Sequence, residues 1–262
     1  MRGRDCFIVG AGSFDGMSIR PKEGDLIIAA DGGYTYLDRL GIRPQVLMGD
    51  FDSLQRVPEH EHLLRHSPLK DDTDMALAAA YGAEQGCRRF FLYGGLGGRL
   101  DHTLANLQLL TGLSRAGLEA YLIGERTIIT AITDEKICFG VQASGIISVF
   151  CPGEKATGIW ERGLKYCLAD ASLTCDRTLG ISNEFLGQES SIEVRNGTLQ
   201  ILWEEHCGLP AKRMKAEGSA PGVKMNSDDN VFPAQGLISE LGWNSMNGKG
   251  GRSANYAGGE EQ

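Results

Sequence analysis

The chain has 262 residues, 42% of them apolar and 23% charged, and its acidic side chains outnumber the basic ones by eight. That length suits one large domain or two modest ones, and the apolar fraction is enough to build a core. The negative balance and the absence of a Lys/Arg block argue against nucleic acid or an anionic membrane surface as partner, which leaves small molecules.

No apolar run approaches the roughly 20 residues of a membrane helix, and the opening MRGRDCFIVGAGSFDG has too short an apolar stretch for a secretory signal, so a cytoplasmic location is expected. Cys6, Cys87, Cys138, Cys151, Cys167, Cys175 and Cys207 are scattered and odd in number, with no C-x-x-C pair, and read as reduced structural thiols.

In chain order, short apolar runs predict strands at Cys6 to Val9, Leu26 to Ala30, Val46 to Met48, Leu63 to His66, Phe90 to Tyr93 and Ala120 to Ile123. Helices are predicted at Met75 to Gln85, which is Ala-rich, and at Thr103 to Ala116, where Leu104, Leu107 and Leu110 recur at helical spacing. Strands alternating with helices predict an α/β domain with a mostly parallel sheet over residues 1–124. From Thr127 the texture changes to short β-rich stretches, TIITAI, KICFG, GIISVFCPG and SIEVRNGTLQILW, which predict a smaller all-β domain over 125–205. Asn196-Gly197 suits a two-residue type I′ turn, so a hairpin is predicted there. Residues 206–262 turn to Gly, Ser, Asn and Lys and read as a mostly disordered tail.

In an open parallel sheet the ligand lies beyond the carboxyl ends of the strands, so the loops there carry the information. Aspartates fill them: Asp31-Gly32-Gly33, Gly49-Asp50-Phe51-Asp52-Ser53, Lys70-Asp71-Asp72-Thr73-Asp74 and Arg99-Leu100-Asp101-His102. Carboxylates gathered at one edge repel and raise one another's pKa unless a cation intervenes, and Mg²⁺ is commonly held by one or two carboxylates with substrate phosphates. Single aspartates in such loops also cap helices, and Asp74 and Asp101 are placed to do so. The run Gly94-Gly95-Leu96-Gly97-Gly98-Arg99 lets backbone N–H groups approach a phosphate, with Arg99 as a forked cation. Gly10-Ala11-Gly12-Ser13 is only a weak dinucleotide fingerprint, and no G-x-x-x-x-G-K-[ST] segment exists. Divalent-metal phosphoryl-transfer chemistry on a nucleotide is the reading these loops favour.

Taken together, DGG (31–33), GDFDS (49–53), KDDTD (70–74), GGLGGRLDH (94–102) and SNEF (182–185) resemble the thiamine pyrophosphokinase family in order and spacing, over about residues 5 to 203. The resemblance implies a catalytic α/β domain, a β-sandwich domain and a homodimer with shared active sites. The implied reaction is ATP plus thiamine giving AMP plus thiamine diphosphate, with Mg²⁺. By the same resemblance Mg²⁺ falls to Asp71, Asp74 and Asp101. Asp50 and Asp52 serve as further ligands or as acceptor of the hydroxyl proton. Asp31, Gly32, Lys70, Gly95, Gly97, Gly98, Arg99 and His102 are expected at ATP and its phosphates. Tyr166, where related chains often carry Trp, is expected against the vitamin ring, with Ser182 and Asn183 hydrogen-bonding it. Two rivals stand beside this reading: a pyrophosphokinase for another alcohol, such as a hydroxymethylpterin, and a noncatalytic thiamine or nucleotide sensor.

Overall fold

The structure is a computed structural model that describes residues 3–14, 19–49, 62–65 and 72–218. Its strands are β1 (Asp5–Val9), β2 (Leu26–Ala30), β3 (Val46–Gly49), β4 (Leu63–Arg65), β5 (Arg89–Tyr93), β6 (Glu119–Gly124), β7 (Thr127–Thr133), β8 (Glu135–Phe139), β9 (Ile146–Phe150), β10 (Lys155–Arg162), β11 (Leu168–Thr174), β12 (Gly180–Glu184), β13 (Ser190–Glu193), β14 (Thr198–Glu204) and β15 (Lys212–Lys215). Among the described residues the helices are α1 (Gly33–Arg39), α2 (Asp74–Glu84) and α3 (Leu100–Arg115), with a 3-10 turn at Glu205–Cys207.

Among the described residues the strands make a ten-stranded sheet in the order β12-β9-β14-β7-β6-β5-β1-β2-β3-β4 and a five-stranded sheet in the order β11-β10-β13-β8-β15. The strands β6, β5, β1, β2, β3 and β4 are mutually parallel. The predicted strands of the first half are all present, within a residue or two of the expected ends. Their continuous apolar character follows from burial on both faces. Cys6 and Ile8 of β1 pack with α2 and α3 through Leu77, Ala78 and Leu110, whereas Phe7 and Val9 face the opposite core with Leu37 of α1. Helix α1 has no equivalent among the predicted helices. Its seven residues, GYTYLDR, bury only Gly33 and Leu37, too few to give a periodic signal.

The division expected between residues 124 and 125 falls in a tight turn across which the sheet does not break. Gly124 pairs with Thr127 and Tyr121 with Thr130 as β7 returns antiparallel to β6. From there β14, β9 and β12 extend the same sheet antiparallel. The five-stranded sheet covers this extension, and Ile137, Phe139, Ile159 and Ile192 pack in one core with Ile147, Val149, Ile201 and Trp203. Each such side chain contributes about 1.5–3 kcal/mol on burial. A run of aromatic contacts crosses both halves: Phe7 to Phe91, Phe91 to Tyr121, Tyr121 to Trp203, Trp203 to Phe139 and Phe139 to Phe185, with centroids 4.9, 5.9, 6.4, 5.2 and 5.1 Å apart.

Two local expectations are corrected. Asn196-Gly197 does not close a hairpin, because β13 pairs with β8 and β10 while β14 pairs with β7 and β9. The turn carries the chain from one sheet to the other, and it is held by Thr157 bonding Asn196 and by Gly197 N donating to Asp134 Oδ1 at 2.9 Å. The reading of residues 206–262 as a tail fails over its first part. Lys212–Lys215 pairs with β8 as an edge strand, and Arg213 donates to Glu135 Oε2, Thr130 Oγ1 and Ala131 O at 2.8, 3.3 and 2.9 Å. Basic residues there suggested solvation, yet an edge strand tolerates them. Residues 219–262 lie outside the described residues.

Candidate active site

Strand β1 pairs with β2 on one side and β5 on the other, so the strand order reverses there. Ligands of doubly wound sheets bind at such a reversal. An open cleft of about 330 Å³ lies there, and Gly10, Gly12, Gly94, Gly95, Gly97 and Gly98 supply much of its wall. The side chains around it are Asp31, Thr73, Asp74, Met75, Arg99, His102 and Asn106. The starts of α2 and α3 both meet this cleft.

Backbone packs directly on backbone here. Gly12 N donates to Gly94 O and Gly10 N to Tyr93 O, both at 2.8 Å. Gly94 adopts φ +63°, and a Cβ on it would fall 2.3 Å from the Gly10 carbonyl oxygen, so only glycine fits. Two polar side chains hold the loops from behind: Tyr36 Oη donates to Gly12 O at 2.9 Å, and buried Asn106 Nδ2 donates to Gly95 O at 2.8 Å. Neither was expected from the sequence. The available signal was an asparagine among the leucines of α3 on its buried side.

Thr73, not Asp74, caps α2: its Oγ1 accepts from Ala76 N at 3.2 Å. Asp74 is therefore spared that task and lines the cleft. Asp31 also lines it, from a left-handed backbone (φ +49°) that turns the chain sharply at the end of β2. Gly32 is not among the lining residues and stands at the N-cap of α1. Asp101 pairs with Arg99 outside the lining and accepts from His102 N at 3.0 Å. The Arg99 hydrogen bond holds the Asp101 carboxyl below its ordinary range. Asp50, Asp52, Lys70 and Asp71 lie outside the described residues. Among the described residues no three His, Cys, Asp or Glu side chains cluster as a metal site. The carboxylates of Asp31 and Asp74 on one glycine-walled cleft are nevertheless hard oxygen donors of the kind Mg²⁺ takes beside phosphate.

In the second half, Tyr166 and Ser182 are exposed, and Lys165 Nζ stands 5.8 Å from the Tyr166 ring centroid. Asn183 departs from expectation. It is buried and its amide is spent within the protein, on Tyr166, Glu184 and Glu161. A β-bulge between Gly180 and Asn183 turns it inward.

Two family models match in order: "Thiamin pyrophosphokinase, catalytic domain" over residues 21–122 and "Thiamin pyrophosphokinase, vitamin B1 binding domain" over 140–199. The chain is 29% identical to the thiamine pyrophosphokinase of Bacillus subtilis over 188 residues, which cover 69% of this chain and 87% of that one. It is 26% identical to thiamin pyrophosphokinase 1 of Caenorhabditis elegans over 168 residues, 57% and 68% of the two chains. The crystal structure of the Bacillus subtilis thiamine pyrophosphokinase superposes with a TM-score of 0.68 at 26% identity, covering 77% of this chain and 99% of that one. That of Candida albicans thiamin pyrophosphokinase, at 14% identity and a TM-score of 0.61 over 76% and 88% of the two chains, shares the fold. With both models matched in sequence order, Asp31, Asp74 and the Gly94 to Gly98 wall of the cleft inside the first and Tyr166 and Ser182 inside the second, the chain belongs to the thiamin pyrophosphokinase family.

Proposed function

We propose that this protein transfers the diphosphoryl group of ATP to the hydroxyl of thiamine, giving thiamine diphosphate and AMP. The observation that carries this reading is the cleft at the β1/β5 reversal, walled by glycine backbone and bearing Asp31, Asp74 and Arg99, in a chain that matches both halves of the family. The thiamine oxygen attacks the β-phosphorus, the bond from that phosphorus to the oxygen bridging it to the α-phosphorus breaks, and AMP leaves with that oxygen. The hydroxyl proton passes to a carboxylate, for which Asp50 and Asp52 are the candidates.

Catalysis of this kind is positioning together with neutralisation of charge on the polyphosphate. The backbone N–H groups of Gly95, Gly97 and Gly98 and the guanidinium of Arg99 receive phosphate oxygens, with Lys70 as a second cation and His102 at the rim. Asp31 borders the nucleotide. Asp74, with Asp71 and Asp101, would hold a divalent cation such as Mg²⁺, which when bound supplies charge neutralisation and orientation of the phosphates. Thiamine lies against the Tyr166 ring, whose face attracts a cation, with Ser182 as a hydrogen-bonding partner. Among the described residues lining the cleft none comes from the second half of the chain, which favours a homodimer in which one subunit's Tyr166 and Ser182 complete the other's cleft. No helix among the described residues is long and apolar enough to cross a membrane.

AMP release from ATP and Mg²⁺ that depends on added thiamine tests the reading. Release with a hydroxymethylpterin but not with thiamine would move the assignment to the other alcohol, and thiamine binding with no AMP would make the protein a sensor.

A further inference from the structure

Three steps on β12 match two on β9, since Gly180 pairs with Val149 and Asn183 with Ile147. The extra residue puts Ser182 in the left-handed region (φ +57°), where its N–H donates to Ser148 Oγ at 3.0 Å. Ser182 thereby faces solvent while Asn183 turns into the core. There Asn183 Oδ1 accepts from Tyr166 N and Glu184 N, each at 2.9 Å. Its Nδ2 donates to Tyr166 O at 2.7 Å and to Glu161 Oε2 at 2.8 Å. A carboxamide has two lone pairs and two hydrogens to give, and all four are in use. The orientation of this amide is set at one end by Glu161, a residue 1% exposed on β10.

Glu161 is an unusual resident of a sandwich core. Its Oε1 has no hydrogen-bond partner among the described residues. The register places Glu161 opposite Ile192, on the inner face with Ile159. Burial pushes its carboxyl up to about 7, and only the Asn183 hydrogen bond opposes that rise. An aliphatic residue would fill this place at less cost unless the acceptor were needed.

We infer that Glu161 is a positioning residue for the acceptor site: through Asn183 it clamps both main-chain groups of Tyr166 and the bulge that presents Ser182, without touching the ligand. The kinetic part of this inference rests on the proposed roles of Tyr166 and Ser182; the clamp itself does not.

The test pairs kinetics with hydrogen exchange on the full chain. Glu161→Met keeps the volume and removes the acceptor, so the KM for thiamine rises about tenfold while the KM for ATP stays within about twofold of the parent. Glu161→Gln keeps an acceptor for Asn183 and retains the parental KM for thiamine. Asn183→Ser attacks the clamp from its other side and gives the same split, which covers a Glu161→Met chain that fails to fold. The Tyr166 amide loses protection about tenfold in Glu161→Met and Asn183→Ser but not in Glu161→Gln. Unchanged Tyr166 protection in the first two, or KM values for both substrates rising together, overturns the inference. A parent protein that makes no AMP with thiamine overturns the functional reading alone, and Tyr166 exchange then still decides the clamp.

Discussion

Arg99 meets Asp101 as a forked pair, Nε to Oδ1 at 3.1 Å and Nη2 to Oδ2 at 2.5 Å, at the first turn of α3 beside the cleft. The residue proposed for phosphate and the residue proposed for metal thus bond each other directly. The hydrogen bond from Arg99 lowers the Asp101 carboxyl below its ordinary range, which favours its charged form. Both side chains are largely exposed, so the pair itself adds little to stability.

Asp101→Asn and Asp74→Asn accordingly lower thiamine-dependent kcat by about 100-fold or more, while each melting temperature stays within about 4 °C of the parent. Steady-state AMP release and thermal melts check this. Near-parental turnover in both variants would remove these carboxylates from the reaction.

The Tyr166 ring is exposed, and Lys165, whose Nζ stands 5.8 Å from the ring centroid, also donates to Glu184 Oε2 at 2.7 Å. Tyr166→Ala raises the KM for thiamine by about 3- to 30-fold, and Tyr166→Trp keeps it at or below the parental value, since indole is the better cation partner. Equal KM values in all three chains would place thiamine elsewhere.

Glu161 makes stability depend on pH in a stated direction. Its carboxyl is raised from an ordinary 4.5 to about 7 in the folded chain. Below the lower value it is protonated in both states and has no effect. As pH rises through that window the unfolded chain ionises first, so the native state loses stability, up to a penalty on the order of 3 kcal/mol above the upper value. Glu161→Gln escapes this. Urea unfolding across the window should show the variant's advantage growing with pH, and a constant difference would contradict the raised carboxyl.

Arg213 tests the corrected end of the fold. Its side chain and that of Glu135 are 11% and 16% exposed, and it donates to Glu135, Thr130 and Ala131. Arg213→Ala removes these three hydrogen bonds, leaving the Glu135 carboxylate its longer ion pair with Lys215, and lowers unfolding free energy by about 1–3 kcal/mol. An unchanged urea midpoint would mean that β15 contributes nothing.

The parallel half of the sheet was legible in the sequence because strands buried on both faces appear as unbroken apolar runs, as in Leu26 to Ala30. The cleft was legible for a related reason: Asp31, Asp74 and the Gly94 to Gly98 run all follow strand ends or open helices. What sequence reasoning missed depends on contacts between distant segments. Asn196-Gly197 has the composition of a hairpin, yet its flanking strands join different sheets. Asn183 belongs to a motif expected at the ligand, but one extra residue in β12 reverses its direction. Thr73 took the capping role expected of Asp74, and the two residues are adjacent, so composition alone did not separate them.

The most direct measurement of the central claim is the product ratio in a reaction of the full chain with ATP, Mg²⁺ and thiamine, followed by phosphorus resonance. Thiamine diphosphate and AMP should appear in equal amounts, without thiamine monophosphate or ADP on the way. Thiamine monophosphate with ADP, or no thiamine-dependent consumption of ATP, would contradict the account.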